Sequence, residues 1–209
     1  MTISFARSGI RPDALTTALL WLVRALPAVA LTVLIQQVIA HESDWRLALA
    51  AEAPDIVGSA ALFTLAATMA VTPLVTLTGW RGHVPLRRDM GLWTLGLGLT
   101  EVVVGILAAS TGWLDAIAGT AFLAAGTGAV VLAVPLALTS YPTAQRFLGR
   151  QWKVLHRLTH GVVVLVIAHV GFLGPDQIAL VAALFGPSYL LRIPAVRRWV
   201  VARRRGKAA

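Results

Sequence analysis

The sequence predicts an all-helical integral membrane protein with a bundle of six transmembrane helices. Apolar residues make up 57% of the 209 residues and charged residues only 13%, about half the charged share of a soluble globular domain. The apolar residues fall into six runs, most of them long enough to cross a bilayer as a helix. The absence of cysteine excludes disulfides, thiolate catalysis and iron–sulfur clusters.

The predicted helical domain covers residues 14–193, between a polar N-terminal segment (1–13) and a basic tail (194–209). Pro27 interrupts the first span, which a membrane helix tolerates when its neighbours satisfy the freed carbonyl. The fourth span is rich in glycine and alanine, which allow close helix packing in lipid. The predicted spans are 14–40, 56–77, 91–109, 119–138, 154–173 and 177–191.

The net charge of +9 is explained by topology. With six spans, both termini and the second and fourth connections lie on one side, which holds nearly all lysines and arginines except Arg46. The opposite connections hold six of the nine acidic residues. Because positive residues mark the cytoplasmic side, we predict that both termini are cytoplasmic. The basic tail is then expected to contact anionic membrane lipid, and no nucleic-acid partner is predicted.

Three of the five histidines, His156, His160 and His169, lie in the fifth span. Ionisable side chains in a membrane span usually indicate function, and imidazole commonly binds haem iron. His156 and His169 are thirteen residues apart, roughly 20 Å along a helix, so they cannot bind the same small metal ion. His160 follows His156 by one turn and shares its face. The other histidines, His41 and His83, are expected to be surface groups.

A series of motifs resembles the ferric-reductase-like transmembrane family, and within it the haem-binding membrane subunits of the methionine sulfoxide reductase system. The resemblance covers roughly residues 56–172. Its most specific part is the string R-x-L-G-x-x-W-x-x-L-H-R-L at residues 146–158, which is followed by a second histidine, His169. The motifs are AVTPL (70–74), TGW (78–80), RRDMGL (87–92), LTS (138–140), RFLGRQW (146–152) and LHRL (155–158), followed by His169.

The resemblance implies a cytochrome b-type bundle that binds haem b, with His156 and His169 as axial ligands. It implies an electron-transfer subunit of the cell inner membrane, an oxidoreductase component rather than a self-sufficient enzyme. Electrons would pass from a cytoplasmic flavin reductase to a periplasmic molybdopterin-dependent reductase of the methionine sulfoxide type. Arg150 and Arg157 are candidate contacts for haem propionates or for the phosphate of FMN, a candidate second cofactor, although positive-inside topology also explains them.

Glu101 departs from the family pattern, because relatives carry a histidine at this position of the third span. Three interpretations are open: an oxygen ligand of haem iron, a hydrogen-bond partner of a ligand histidine or propionate, or a site that has lost its haem. His160, where relatives often have tyrosine, is a further candidate ligand or ligand partner. The alternative functions are a haem-free membrane scaffold and a proton-coupled carrier.

Overall fold

The computed structural model describes residues 14–40, 54–79, 86–108 and 112–206. All regular secondary structure in these residues is helical, which confirms the predicted fold class. The predicted surface histidines His41 and His83 lie outside the described residues. A π-helical turn, Pro54–Gly58, precedes the second helix. The helices are α1 (Ala14–Ala40), α2 (Ser59–Thr78), α3 (Leu86–Ala108), α4 (Trp113–Gly119), α5 (Ala121–Leu138), α6 (Pro142–Leu148), α7 (Arg150–Leu155), α8 (Leu158–Gly171), α9 (Pro175–Leu190) and α10 (Pro194–Gly206).

By length and composition, four described stretches suffice to cross a membrane, and α9 with α10 would add a fifth if this bent pair is one span. Helix α1 has 27 residues and contains the apolar stretch Ala25–Gln37. The protein is therefore a multi-pass membrane bundle, while the count of six spans stays a prediction. The four stretches are Asp55–Thr78, Leu86–Leu107, Ala121–Leu138 and Arg150–Gly171.

Several segments that were predicted as connections are helical. Helix α3 begins at Leu86, so Arg87 and Arg88 belong to its first turn rather than to a loop. Asp89 in that turn favours an early start, because a carboxylate interacts well with the positive end of the helix dipole. The short helices α4 and α6 also lie in predicted connections, and the basic tail forms α10. The fifth predicted span divides into α7 and α8 at His156.

The core lies where α2, α5, α8 and α9 meet. Helix α5 packs most extensively against α8, and α2 against α3. Small residues of α5 lie at this contact, and a Cβ atom on Gly128 would meet Leu165 at 3.4 Å, an ordinary van der Waals distance. Many large apolar side chains stay exposed on the outer faces, as expected where lipid is the solvent. The core residues are Leu62, Leu65, Ala66, Met69, Ala129, Leu136, Val162, Val163, Val181 and Phe185.

The junction between α9 and α10 is tied to α2 through a proline. Pro73 has no N–H group, so the carbonyl of Met69, four residues earlier, loses its usual helical partner. Nη2 of Arg192 donates to that carbonyl at 2.9 Å, and its guanidinium lies 5.5 Å from the centre of the Tyr189 ring. A side chain from a neighbouring element thus satisfies the freed backbone group, as a membrane interior requires.

Candidate functional site

His169 lies near the C-terminal end of α8 with its imidazole held against α5. Its Nδ1 is 2.9 Å from the backbone oxygen of Phe122. Because a carbonyl only accepts, Nδ1 carries the hydrogen and donates it. The ring also stacks on the Phe122 ring, with centroids 4.0 Å apart. In the neutral imidazole this arrangement leaves the lone pair on Nε2. Histidines that bind a metal have the same tautomer, because one ring nitrogen binds the metal while the other donates a hydrogen bond.

The imidazole reaches this position because residue 126 has no side chain. A Cβ atom on Gly126 would lie 2.8 Å from both Cε1 and Nδ1 of His169. Real side chains essentially never approach so closely, so the ring and a larger residue cannot share this space. The sequence identified Gly126 only as one of several small residues for helix packing. Its contact with the histidine was missed because it depends on how α5 meets α8.

Glu101 on α3 faces the free nitrogen of His169. Its Oε1 lies 3.6 Å from Nε2 of His169, and the two side chains are 29% and 15% exposed, respectively. The separation exceeds hydrogen-bond length, yet it keeps a carboxylate and an imidazole nitrogen directly opposed. Gly58 makes room for the carboxylate, because a Cβ atom there would lie 3.4 Å from Oε1. Gly58 ends the π-helical turn, a feature common near functional sites.

A cavity of about 550 Å³ lies beside this pair, within the usual size range of small-molecule and cofactor sites. Helices α2, α3, α5, α8 and α9 contribute to its walls, which are mostly aliphatic. Its polar groups are few, so the cavity suits a largely apolar ligand with one or two anchoring atoms. The polar side chains of the lining are Asp55, Ser59, Thr94, Glu101, Thr127, His169 and Gln177.

The donor set distinguishes between kinds of metal site. A bare structural or catalytic metal ion takes three or more protein ligands, and the described part of the chain has no group of three His, Cys, Asp or Glu side chains. Haem iron needs only one or two protein ligands, because the porphyrin supplies the others. One imidazole nitrogen and one carboxylate in an apolar cavity therefore fit a haem better than a bare ion.

His156 lies elsewhere, in the turn after α7, and it does not line the cavity of His169. Its Nε2 is 3.1 Å from the hydroxyl of Thr139. That hydroxyl donates its only hydrogen to the carbonyl of Pro135 at 2.6 Å, so Nε2 of His156 is the donor to Thr139. The Trp152 ring packs against the imidazole, with the two ring centroids 4.1 Å apart. To bind iron through Nε2, His156 would have to give up the Thr139 hydrogen bond.

The remaining candidate residues are on the His156 side of the bundle. His160 is exposed, and its Nδ1 lies 3.0 Å from the hydroxyl of Tyr189 on α9. Arg150 and Arg157 are exposed and do not line the cavity. Of the six candidate residues named from the sequence, the structure thus brings together Glu101 and His169.

A protein-methionine-sulfoxide reductase haem-binding subunit, MsrQ, of Ralstonia nicotianae is 38% identical to the chain over 117 residues. Over that stretch the chain is similar to MsrQ. The alignment covers 54% of each protein, so the chain spans about half the length of this curated relative. The MsrQ likeness confirms the family resemblance predicted from the motifs. No protein-family model matches the chain, and no solved structure matches it.

Proposed function

We propose that the chain is a membrane electron-transfer subunit that binds haem b through His169. The observation that carries this proposal is the imidazole itself: Phe122 holds Nδ1, so that Nε2 faces Glu101 in the wall of a mostly aliphatic cavity of about 550 Å³. The likeness to a subunit whose name states haem binding supports the same cofactor.

Haem iron supplies one-electron transfer when bound, and the residues around it have separate tasks. The Phe122 carbonyl fixes the tautomer and orientation of the His169 ring, and the aliphatic walls exclude water. Glu101 places a carboxylate 3.6 Å from Nε2 of His169. In a medium of low dielectric constant, this negative charge favours the more positive, oxidised state of a metal at that nitrogen.

The proposed electron path runs from a cytoplasmic flavin reductase to a periplasmic molybdopterin-dependent reductase of the methionine sulfoxide type, in the inner membrane. The family resemblance and the basic residues on the predicted cytoplasmic side support this direction. On that side, His156 is a candidate ligand of a second haem. Arg150 and Arg157 are exposed there and suited to propionates or to the phosphate of FMN.

The test is the reduced-minus-oxidised spectrum of the purified protein with its haem-to-protein ratio. We expect a b-type spectrum, with about one haem per chain if His169 alone binds and about two if His156 also binds. Colourless protein from haem-replete cells would contradict the proposal and favour the haem-free scaffold or the carrier. Proton-dependent uptake that disappears in Glu101→Gln would then identify the carrier.

The charge of Glu101 is expected to set the haem potential. Glu101→Gln removes one negative charge at nearly constant size, and we expect the midpoint potential to rise by roughly 100 mV, from Coulomb's law at an effective dielectric constant near 20. Glu101→His is expected to give the low-spin spectrum of two imidazole ligands. Redox titration and absorption spectroscopy measure both. Identical potentials and spectra in all three proteins would place Glu101 away from the iron.

A further inference from the structure

The last helix leaves the bundle at an angle and is amphipathic. Helices α9 and α10 are bent by 71°. At 100° per residue, one face carries Arg197 and Arg198 with Val201 between them. The opposite face is mostly apolar and carries Ala195, Val196 and Trp199 together with Arg203. An amphipathic helix rich in arginine lies along a membrane surface rather than across it.

A surface pocket of about 490 Å³ lies at this bend. Its polar lining consists of three arginines, Arg192, Arg197 and Arg198, and no acidic residue of the described ranges lines it. Guanidinium groups form strong, geometrically matched hydrogen bonds to phosphate oxygens. The rest of the lining is apolar, with Pro194, Val201 and Ala202. The pocket thus offers positive charge and apolar surface side by side.

Arg192 is positioned in advance of any ligand. One terminal nitrogen, Nη2, donates to the Met69 carbonyl, and the Tyr189 ring lies against the guanidinium. Among the described residues its other terminal nitrogen, Nη1, has no hydrogen-bond partner although it is buried. Because the side chain is already held in place, an anion that binds it costs little conformational entropy.

We propose that this pocket binds the phosphate of an anionic phospholipid in the leaflet next to α10. The apolar lining residues favour a lipid over a soluble phosphate, because they would contact its glycerol and acyl chains. Trp199 on α10 is 56% exposed and has the guanidinium of Arg203 4.3 Å from its ring centre, a combination typical of the membrane interface. The proposal is independent of haem binding, since no residue of the haem cavity takes part.

The experiment measures lipid retention by the full-length protein in a neutral detergent. Phosphatidylglycerol or phosphatidylcholine is titrated in, and native mass spectrometry counts the bound lipid. We expect the wild type to retain phosphatidylglycerol in preference to phosphatidylcholine. Arg197→Gln combined with Arg198→Gln should weaken this retention about a hundredfold, since each hydrogen bond between charged groups contributes roughly a tenfold factor or more. If the double variant does not purify, each single variant should show about a tenfold loss.

The matched control is Arg146→Gln combined with Lys153→Gln, which removes the same charge from exposed residues outside the pocket and outside α10. It should retain phosphatidylglycerol like the wild type. Equal loss in the two double variants would show only a diffuse charge effect and would overturn the proposal, as would equal retention of both lipids by the wild type. Displacement of the lipid by inorganic phosphate or FMN at matching concentrations would assign the pocket to a soluble phosphate and overturn it as well.

Discussion

Replacing His169 by alanine is expected to remove the haem from the cavity beside His169 and Glu101. The substitution deletes the imidazole whose Nε2 faces that cavity, and no other histidine lines it among the described residues. Removing a residue that only hydrogen-bonds a metal ligand typically lowers metal affinity about 10- to 100-fold. Removing the ligand itself should therefore lower haem affinity by more than about 100-fold. The measurement is the haem-to-protein ratio together with the reduced b-type absorbance.

The matched control is His160→Ala on the same helix. His160 is exposed and contacts Tyr189 through Nδ1, so its removal should leave the haem of this cavity in place. Both variants lose one imidazole from α8, which separates a ligand effect from a general weakening of the helix. Unchanged haem content and an unchanged spectrum in His169→Ala would reject the assignment of this histidine.

Gly126→Ala should disturb the same site without touching a ligand. The new Cβ atom would lie 2.8 Å from the His169 ring, which cannot retreat without losing its Phe122 hydrogen bond and stacking contact. We expect a loss of roughly 1–3 kcal/mol in the free energy of unfolding, the usual cost of overpacking a core. Haem affinity should fall about 10- to 100-fold, as for other losses of ligand orientation. Thermal unfolding and the haem-to-protein ratio measure the two effects.

Gly128→Ala, two residues along α5, is the control for this prediction. Its Cβ atom would meet Leu165 at 3.4 Å, an ordinary van der Waals contact. Alanine also favours the helical state over glycine by about 0.5–1 kcal/mol, so the control should be neutral or slightly more stable. If Gly126→Ala behaves like Gly128→Ala in both measurements, the close approach at the histidine has no effect on the site.

Local properties of the sequence predicted the membrane class and much of the helix pattern. Apolar runs and their lengths identified α1, α2, α5 and α9 to within a few residues, because hydrophobicity along a chain directly reflects its burial in lipid. The start of α3 and the division of α7 from α8 at His156 were not predicted. Helix ends depend on capping and on contacts with other elements, which a window of apolar residues does not report.

The amino-acid sequence by itself determined that this chain forms a helical membrane protein, and it identified Glu101 and His169 as ionisable groups where lipid makes them costly. Only the tertiary structure decided that these two residues face each other and that Nε2 of His156 contacts the Thr139 hydroxyl. The physical reason is distance along the chain. Glu101 on α3 and His169 on α8 are brought within 3.6 Å by the packing of α5 against both helices, and such packing depends on side-chain shape across the whole bundle.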